Sequence, residues 1–264
     1  MKKKGIFISA VILCSAAGFV QGQENDLGVT LDVTYLSSYI WRGFDCYAEG
    51  HSAIQPSISL DFYGTGFGLK VFSSRANRSG FENSEWLDVA LSYRNSLFEG
   101  ETYAMDYVTG WVYYNYPDGP RKADDIQEAF VTFFWSNICP AGFVPRYTVA
   151  CAWPAKSNST NASDDGGWVH VFGLGYDLTV PGLAHETAEQ ILHLFADVVY
   201  NDGIGPPGEA VDHDWSHALF GISTGFDLGN NLTFTPGVYY QLSMDDSVND
   251  DDETWCSLSM TYKF

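Results

Sequence analysis

The sequence predicts an all-β protein: a closed antiparallel transmembrane β-barrel of about twelve strands, with short turns at one end and long loops at the other. Three observations carry this prediction. Segments of about ten residues alternate apolar and polar side chains, their connections alternate short and long, and the last segment closes on Phe264. A period of two puts one face of a strand in an apolar medium and the other in a polar one. Hydrocarbon offers no hydrogen-bond partners, so a sheet immersed in it must close on itself.

The start of the chain reads as a leader. Lys2, Lys3 and Lys4 form a basic stretch, 6–20 is apolar, and Val20-Gln21-Gly22 offers a small-residue cleavage pattern. Residues 1–22 are expected to be removed, leaving 23–264 as one barrel. The formal charge then moves from -20 to about −23. With 33 acidic and 13 basic residues the chain is a poor partner for nucleic acid, which needs clustered cations. Past the leader no apolar run reaches the length of a spanning helix.

Twelve segments follow: 28–41, 53–63, 67–73, 85–96, 102–116, 126–136, 143–153, 168–178, 190–200, 216–227, 232–244 and 254–264. The last is the clearest. Cys256, Leu258, Met260, Tyr262 and Phe264 are apolar, and Ser257, Ser259, Thr261 and Lys263 between them are polar. Leu232, Phe234, Val238, Tyr240 and Leu242 repeat the pattern before it, as do Leu87, Val89, Leu91 and Tyr93 nearer the front. Short connections fall at Gly64-Thr65-Gly66, 97–100, 137–142 and Gly229-Asn230-Asn231, and long ones at 117–125, 154–167, 201–215 and 245–253. The connection 179–189 breaks the alternation and is read as a short helical turn. This rhythm, with both termini at the short-turn end, is that of an outer-membrane barrel. A secreted β-sandwich also alternates, but does not account for an alternating strand that ends on a terminal Phe.

Several stretches resemble the TorF family of outer-membrane porins. Tyr39-Ile40-Trp41-Arg42-Gly43 is similar to that family's early aromatic-Arg-Gly motif. Gln55-Pro56 with Ser59-Leu60-Asp61 is similar to its second-strand motif. Asp106, Gly110-Trp111-Val112-Tyr113-Tyr114-Asn115-Tyr116-Pro117 and Glu128-Ala129 resemble its Gly-aromatic hairpin. The second half of the chain matches in texture only. The resemblance implies a bacterial outer-membrane barrel with a transport role.

The polar faces supply the candidate pore lining: Asp32, Asp61, Lys70, Asp88, Arg94, Glu128, Arg146, Asp197 and Asp227. A basic residue facing lipid at mid-depth costs roughly 2–4 kcal/mol, so these charges belong in the interior. There they either face a channel or pair across strands and fill it. The candidate pore mouth comprises Arg42, read mainly as a guanidinium snorkelling at the rim, and the acidic run Asp245, Asp246, Asp250, Asp251, Asp252 and Glu253. That run lacks EF-hand spacing and reads as a solvated loop rather than a metal site. Across six outward loops eighteen acidic residues stand against six basic ones, a balance of about −12, which favours cations if the barrel conducts.

Four cysteines remain after the leader, none in a CxxC pair, so a zinc site is not expected. Cys46 and Cys256 are the expected disulfide, because closure sets the first strand beside the last. No cofactor fingerprint and no Gly-x-Ser-x-Gly motif is present, and no catalytic residue is assigned. Glycines such as Gly173, Gly175, Gly221 and Gly225 read as relief for bulky interior neighbours. The expected partners are outer-membrane lipids and lipopolysaccharide, the barrel-assembly machinery through Phe264, and small solutes or ions. The leading function is a passive channel. A closed-lumen structural or surface-binding barrel is the alternative, and a lipid-acting enzyme stands behind both. Deleting Phe264 should lower the yield of membrane-assembled barrel, measured as the folded fraction on an unheated gel.

Overall fold

The computed structural model describes residues 26–118, 125–139, 142–155, 166–183, 189–205 and 211–264. The leader at 1–22 lies outside them. The strands are β1 (Gly28–Leu36), β2 (Ile40–Trp41), β3 (Phe44–Asp45), β4 (Ala53–Asp61), β5 (Phe67–Ala76), β6 (Trp86–Leu97), β7 (Met105–Asn115), β8 (Ile126–Phe134), β9 (Phe143–Pro154), β10 (Gly167–Pro181), β11 (Glu189–Asp202), β12 (His213–Ser223), β13 (Phe226–Asp227), β14 (Leu232–Ser243) and β15 (Glu253–Lys263). One 3₁₀ turn lies at Glu82–Ser84.

Twelve of these strands form the wall: β1, β4 to β12, β14 and β15. Each is antiparallel to its neighbours, and the ring closes through β1 with β15 and β12 with β14. The seam runs from Thr30 opposite Lys263 to Leu36 opposite Ser257. No strand of the ring is left with an unpaired edge, as hydrocarbon demands. The short β13 adds to β14 at the short-turn end. The turns there use left-handed residues. Tyr63, Gly64 and Gly66 take positive φ between β4 and β5, as do Gly229, Asn230 and Asn231 before β14.

Alternation sorts the side chains as expected. Leu31, Val33, Ile54, Ile58, Leu91, Phe172, Phe220, Val238, Leu258 and Met260 are exposed on the outside. Residues of the opposite parity are buried inside, among them Gln55, Lys70, Asp88, Val112, Glu128, Ala150, Val171, Asp197 and Gln241.

The main departure is the first segment. Its strand stops at Leu36 rather than at 41, and residues 37–52 turn into the barrel. Ser38, Tyr39, Ile40, Trp41 and Arg42 are buried in succession. Five consecutive buried residues cannot belong to a wall strand, which would show every second one to the outside. Of the connection 179–189, β10 takes the first part as far as Pro181, and 184–188 lie outside the described residues.

Gly173 shows how the interior is fitted. Arg146 on β9 reaches across β10 to Asp197 on β11, with Nη2 2.5 Å from each carboxylate oxygen. Gly173 lies between them in register, opposite both. A methyl group there would collide with the Asp197 carboxylate and sit 2.9 Å from Arg146 Nε. Gly221 likewise makes room for the rings of Phe195 and Tyr239. Gly175 does not fit this account, since its nearest neighbour would be 3.8 Å away. Gly173→Val should therefore part the buried ion pair and destabilise the barrel by about 3–5 kcal/mol. Gly175→Val should cost far less. Denaturant unfolding in lipid vesicles checks the contrast.

Candidate functional site

The inward-turning segment is a hairpin. Trp41 of β2 pairs with Phe44 of β3, and Cys46 N donates to the Tyr39 carbonyl at 2.9 Å. The two residues at the tip, Arg42 and Gly43, have φ of +52° and +97°. Two successive positive φ values make the tight hairpin turn whose twist matches its strands. Gly takes that conformation freely, whereas Arg is uncommon in it. Asp45 fastens the return by accepting from Gly50 N at 2.9 Å and Tyr47 N at 3.3 Å.

The hairpin packs on the wall through aromatic rings. Tyr39 and Trp41 lie 5.2 and 6.0 Å from Trp86, and Trp41 lies 5.7 Å from Tyr114, between ring centroids. Tyr47 donates to Ser74 Oγ at 3.0 Å, and its burial pushes the phenol well above its usual pKa.

The tip is latched on both sides. Arg42 forms an ion pair with Glu128 on β8, both with only 1% of the side chain exposed. Tyr114 Oη donates to the same Glu128 oxygen at 3.3 Å, and the guanidinium carbon lies 4.8 Å from the Trp41 ring centroid. The Gly43 carbonyl accepts from Gln241 Nε2 on β14 at 2.8 Å and from Asn249 Nδ2 at 3.1 Å. His217 closes in from β12: a methyl group on Gly43 would be 2.8 Å from its Nδ1. Strands β8 and β14 are five places apart around the ring one way and seven the other. The hairpin therefore bridges the lumen rather than lying along one wall.

Arg42 is thus not at the rim. Its position in a two-residue turn aims it at a carboxylate inside the barrel, where snorkelling to solvent is impossible. Lys70, Asp88 and Glu128 gather beneath the hairpin on β5, β6 and β8. Tyr114 links them, opposite Asp88 in register and hydrogen-bonded to Glu128. Arg146 and Asp197 form the second group. Asp32 sits apart on a hydroxyl-rich wall and accepts from Thr34 at 2.9 Å, Ser259 at 2.5 Å and Thr261 at 2.6 Å. Asp61 caps a turn by accepting from Gly64 N at 2.8 Å. Arg94 is exposed near the short turns, and its amide donates to the Gly66 carbonyl. Asp227 is exposed on β13, off the twelve-strand wall, and accepts from Gly229 N.

At the long-loop end, Asp246, Asp250, Asp251 and Asp252 are exposed, while Asp245 and Glu253 are partly covered. Asp245 holds Ser247 N at 2.8 Å. Hydrogen bonds from Tyr240 and Ser243 keep the Asp252 carboxyl below its usual pKa. Asn249 Nδ2 lies 3.4 Å from Glu253 Oε1, so the acidic loop and the hairpin tip share one residue.

The expected Cys46–Cys256 bridge is not formed, and all four cysteines among the described residues are free thiols. Cys256 shares the outward parity of Leu258 and Met260, flanked by the buried Trp255 and Ser257, whereas Cys46 rides on the hairpin inside. The wall separates them. The register also aligns Asp177, His193 and Ser223 on the lumen side, with His193 Nδ1 2.7 Å from Asp177 Oδ1. The next amide, Thr224 N, is engaged by the Pro236 carbonyl, so it is not offered to a developing oxyanion.

Among solved structures the chain is similar to the NanC porin (TM-score 0.53, 11% identity, covering 89% of this chain and 100% of that one). It is similar to the KdgM porin to the same degree (TM-score 0.53, 11% identity, 89% and 99%). The COG4313 outer membrane channel from Pseudomonas putida F1 aligns over 94% of this chain and all of its own (TM-score 0.50, 10% identity). The fold is that of the outer-membrane porins. No family model and no curated protein matches the sequence.

Tyr114, Trp86, Gln241, Asn249 and His217 complete the site; sequence reasoning names Tyr114 within the Gly-aromatic hairpin but gives none of the five a place at the Arg42 latch. The Arg42–Glu128 latch can be weighed by hydrogen exchange. Arg42→Ala should speed exchange of the hairpin amide Cys46 N by about 10²–10³-fold, since removing one partner of a buried pair costs roughly 3–5 kcal/mol. Wall amides should hardly change. The double variant R42A/E128A should lose less than the sum of the single changes.

Proposed function

We propose that this chain is a passive channel of the bacterial outer membrane for small solutes or ions, and that it prefers cations. The barrel fold it shares with porins supports the first part. The charge of its loops supports the second. With Arg42 inside the barrel, a mouth carrying about −13 over its six outward loops focuses the field and concentrates counter-ions. The described interior adds no opposing excess, because Arg42 is matched by Glu128 and Arg146 by Asp197. The hydroxyl-rich wall around Asp32 is hospitable to a partly hydrated ion. The TorF resemblance of 39–43 and 106–129 agrees with a transport role.

A second reading is favoured by the hairpin itself. A lumen bridged by Trp41, Arg42 and Phe44 is also what a closed, surface-binding barrel requires. Planar-bilayer recording separates the two. The channel reading expects discrete conductance and a cation-selective reversal potential across a salt gradient. The preference should weaken as salt rises, because loop charges beyond a Debye length of about 8 Å are screened at physiological ionic strength. An anion-selective potential at low salt would show the lumen bases outweighing the mouth. A folded barrel that never conducts would leave the second reading standing.

A further inference from the structure

We infer that the pocket holding Arg42 is a binding site for small organic cations of the guanidinium class, which the hairpin fills as a tethered competitor. The transport meaning of this site rests on the channel reading. The site itself does not.

Its recognition groups belong to the wall and stay in place if the hairpin leaves. Glu128 on β8 provides the carboxylate and Tyr114 on β7 orients one of its oxygens at 3.3 Å. Asp88 lies across from Tyr114 in register, and Trp86 stands two residues before it on the same inward face. A carboxylate beside aromatic rings suits a flat, delocalised and weakly hydrated cation. Such a cation gives up little water on entry and offers paired N–H donors to the carboxylate. Sodium, compact and strongly hydrated, gains less there. Arg42 displays the fit at the carboxylate, where its guanidinium joins Glu128; the Trp41 ring beside it belongs to the hairpin and leaves with it.

Withdrawal of Arg42 leaves Glu128 without that counter-ion, so a solute with the same headgroup restores what is lost. Because Arg42 is attached, it competes at an effective concentration in about the millimolar range for a short linker. A free ligand must approach or exceed that concentration. Binding of the solute and withdrawal of the hairpin are then linked equilibria, and each promotes the other.

Cys46 reports the hairpin's position. In protein with Cys139, Cys151 and Cys256 changed to Ser, an impermeant maleimide reads how often the hairpin leaves the lumen. About 20 mM methylguanidinium chloride, above the tether's millimolar range, should speed labelling at least about threefold over the same sodium chloride. In a parallel calorimetric titration in detergent, R42Q should bind methylguanidinium at least about tenfold more tightly than R42Q/E128Q, a difference of about 1.4 kcal/mol. Labelling of the otherwise unaltered site that is the same in both salts would overturn the proposal. So would a folded R42Q that binds no better than the double variant. The labelling arm needs no substitution in the pocket, so it decides even if R42Q fails to fold. Neither arm depends on current: a barrel that binds and never conducts would sink the channel reading alone.

Discussion

A sheet surrounded by hydrocarbon can have no open edge, and every other feature of this molecule follows from meeting that condition. Twelve strands close through the β1–β15 seam, and the seam fixes register because a slip of one residue would send Asp32 into lipid and Leu31 into the lumen. Closure then forces all polar matter of the wall into one enclosed space. Lys70, Asp88, Glu128 and Asp197 are buried, and Arg146 largely so, because the outside is unavailable to them, and burial makes each demand partners. The glycine at 173 and the long reach of Arg146 across β10 are consequences of fitting such partners into a ring of limited width.

The hairpin answers the same condition from the other direction. Residues 39–44 are too apolar to lie in water and interrupt the alternation that a wall strand needs. The interior of the barrel is the remaining place for them. Once there, their backbone groups must be satisfied, which Gln241 and Asn249 do at the Gly43 carbonyl. One loop thereby supplies an apolar filling, a charge and a backbone acceptor to three different parts of the wall.

The barrel was legible in the sequence because period-two alternation is local: each strand advertises its two faces without reference to any other. Strand edges such as 53, 126, 143 and 232 were readable for the same reason. The latch was not legible, because it joins Arg42 to Glu128, 86 positions away, and Gly43 to Gln241, 198 positions away, and only closure brings them together. The extension of the first strand to 41 failed at the residues where alternation gives way to an unbroken apolar run. The Cys46–Cys256 pairing failed because proximity along the seam was weighed without parity. Cys256 stands with Leu258 and Met260, and the same alternation that identified the strand places its thiol on the outside.

Both roots of the hairpin stand on adjoining strands, β1 and β4, while its tip is held across the lumen by β8 and β14. Mechanically this is a lever, hinged along one rim and fastened at its far end. The tip sweeps the longest arc, so a small tilt at the hinge breaks the ion pair and the Gly43 hydrogen bonds together rather than one after another.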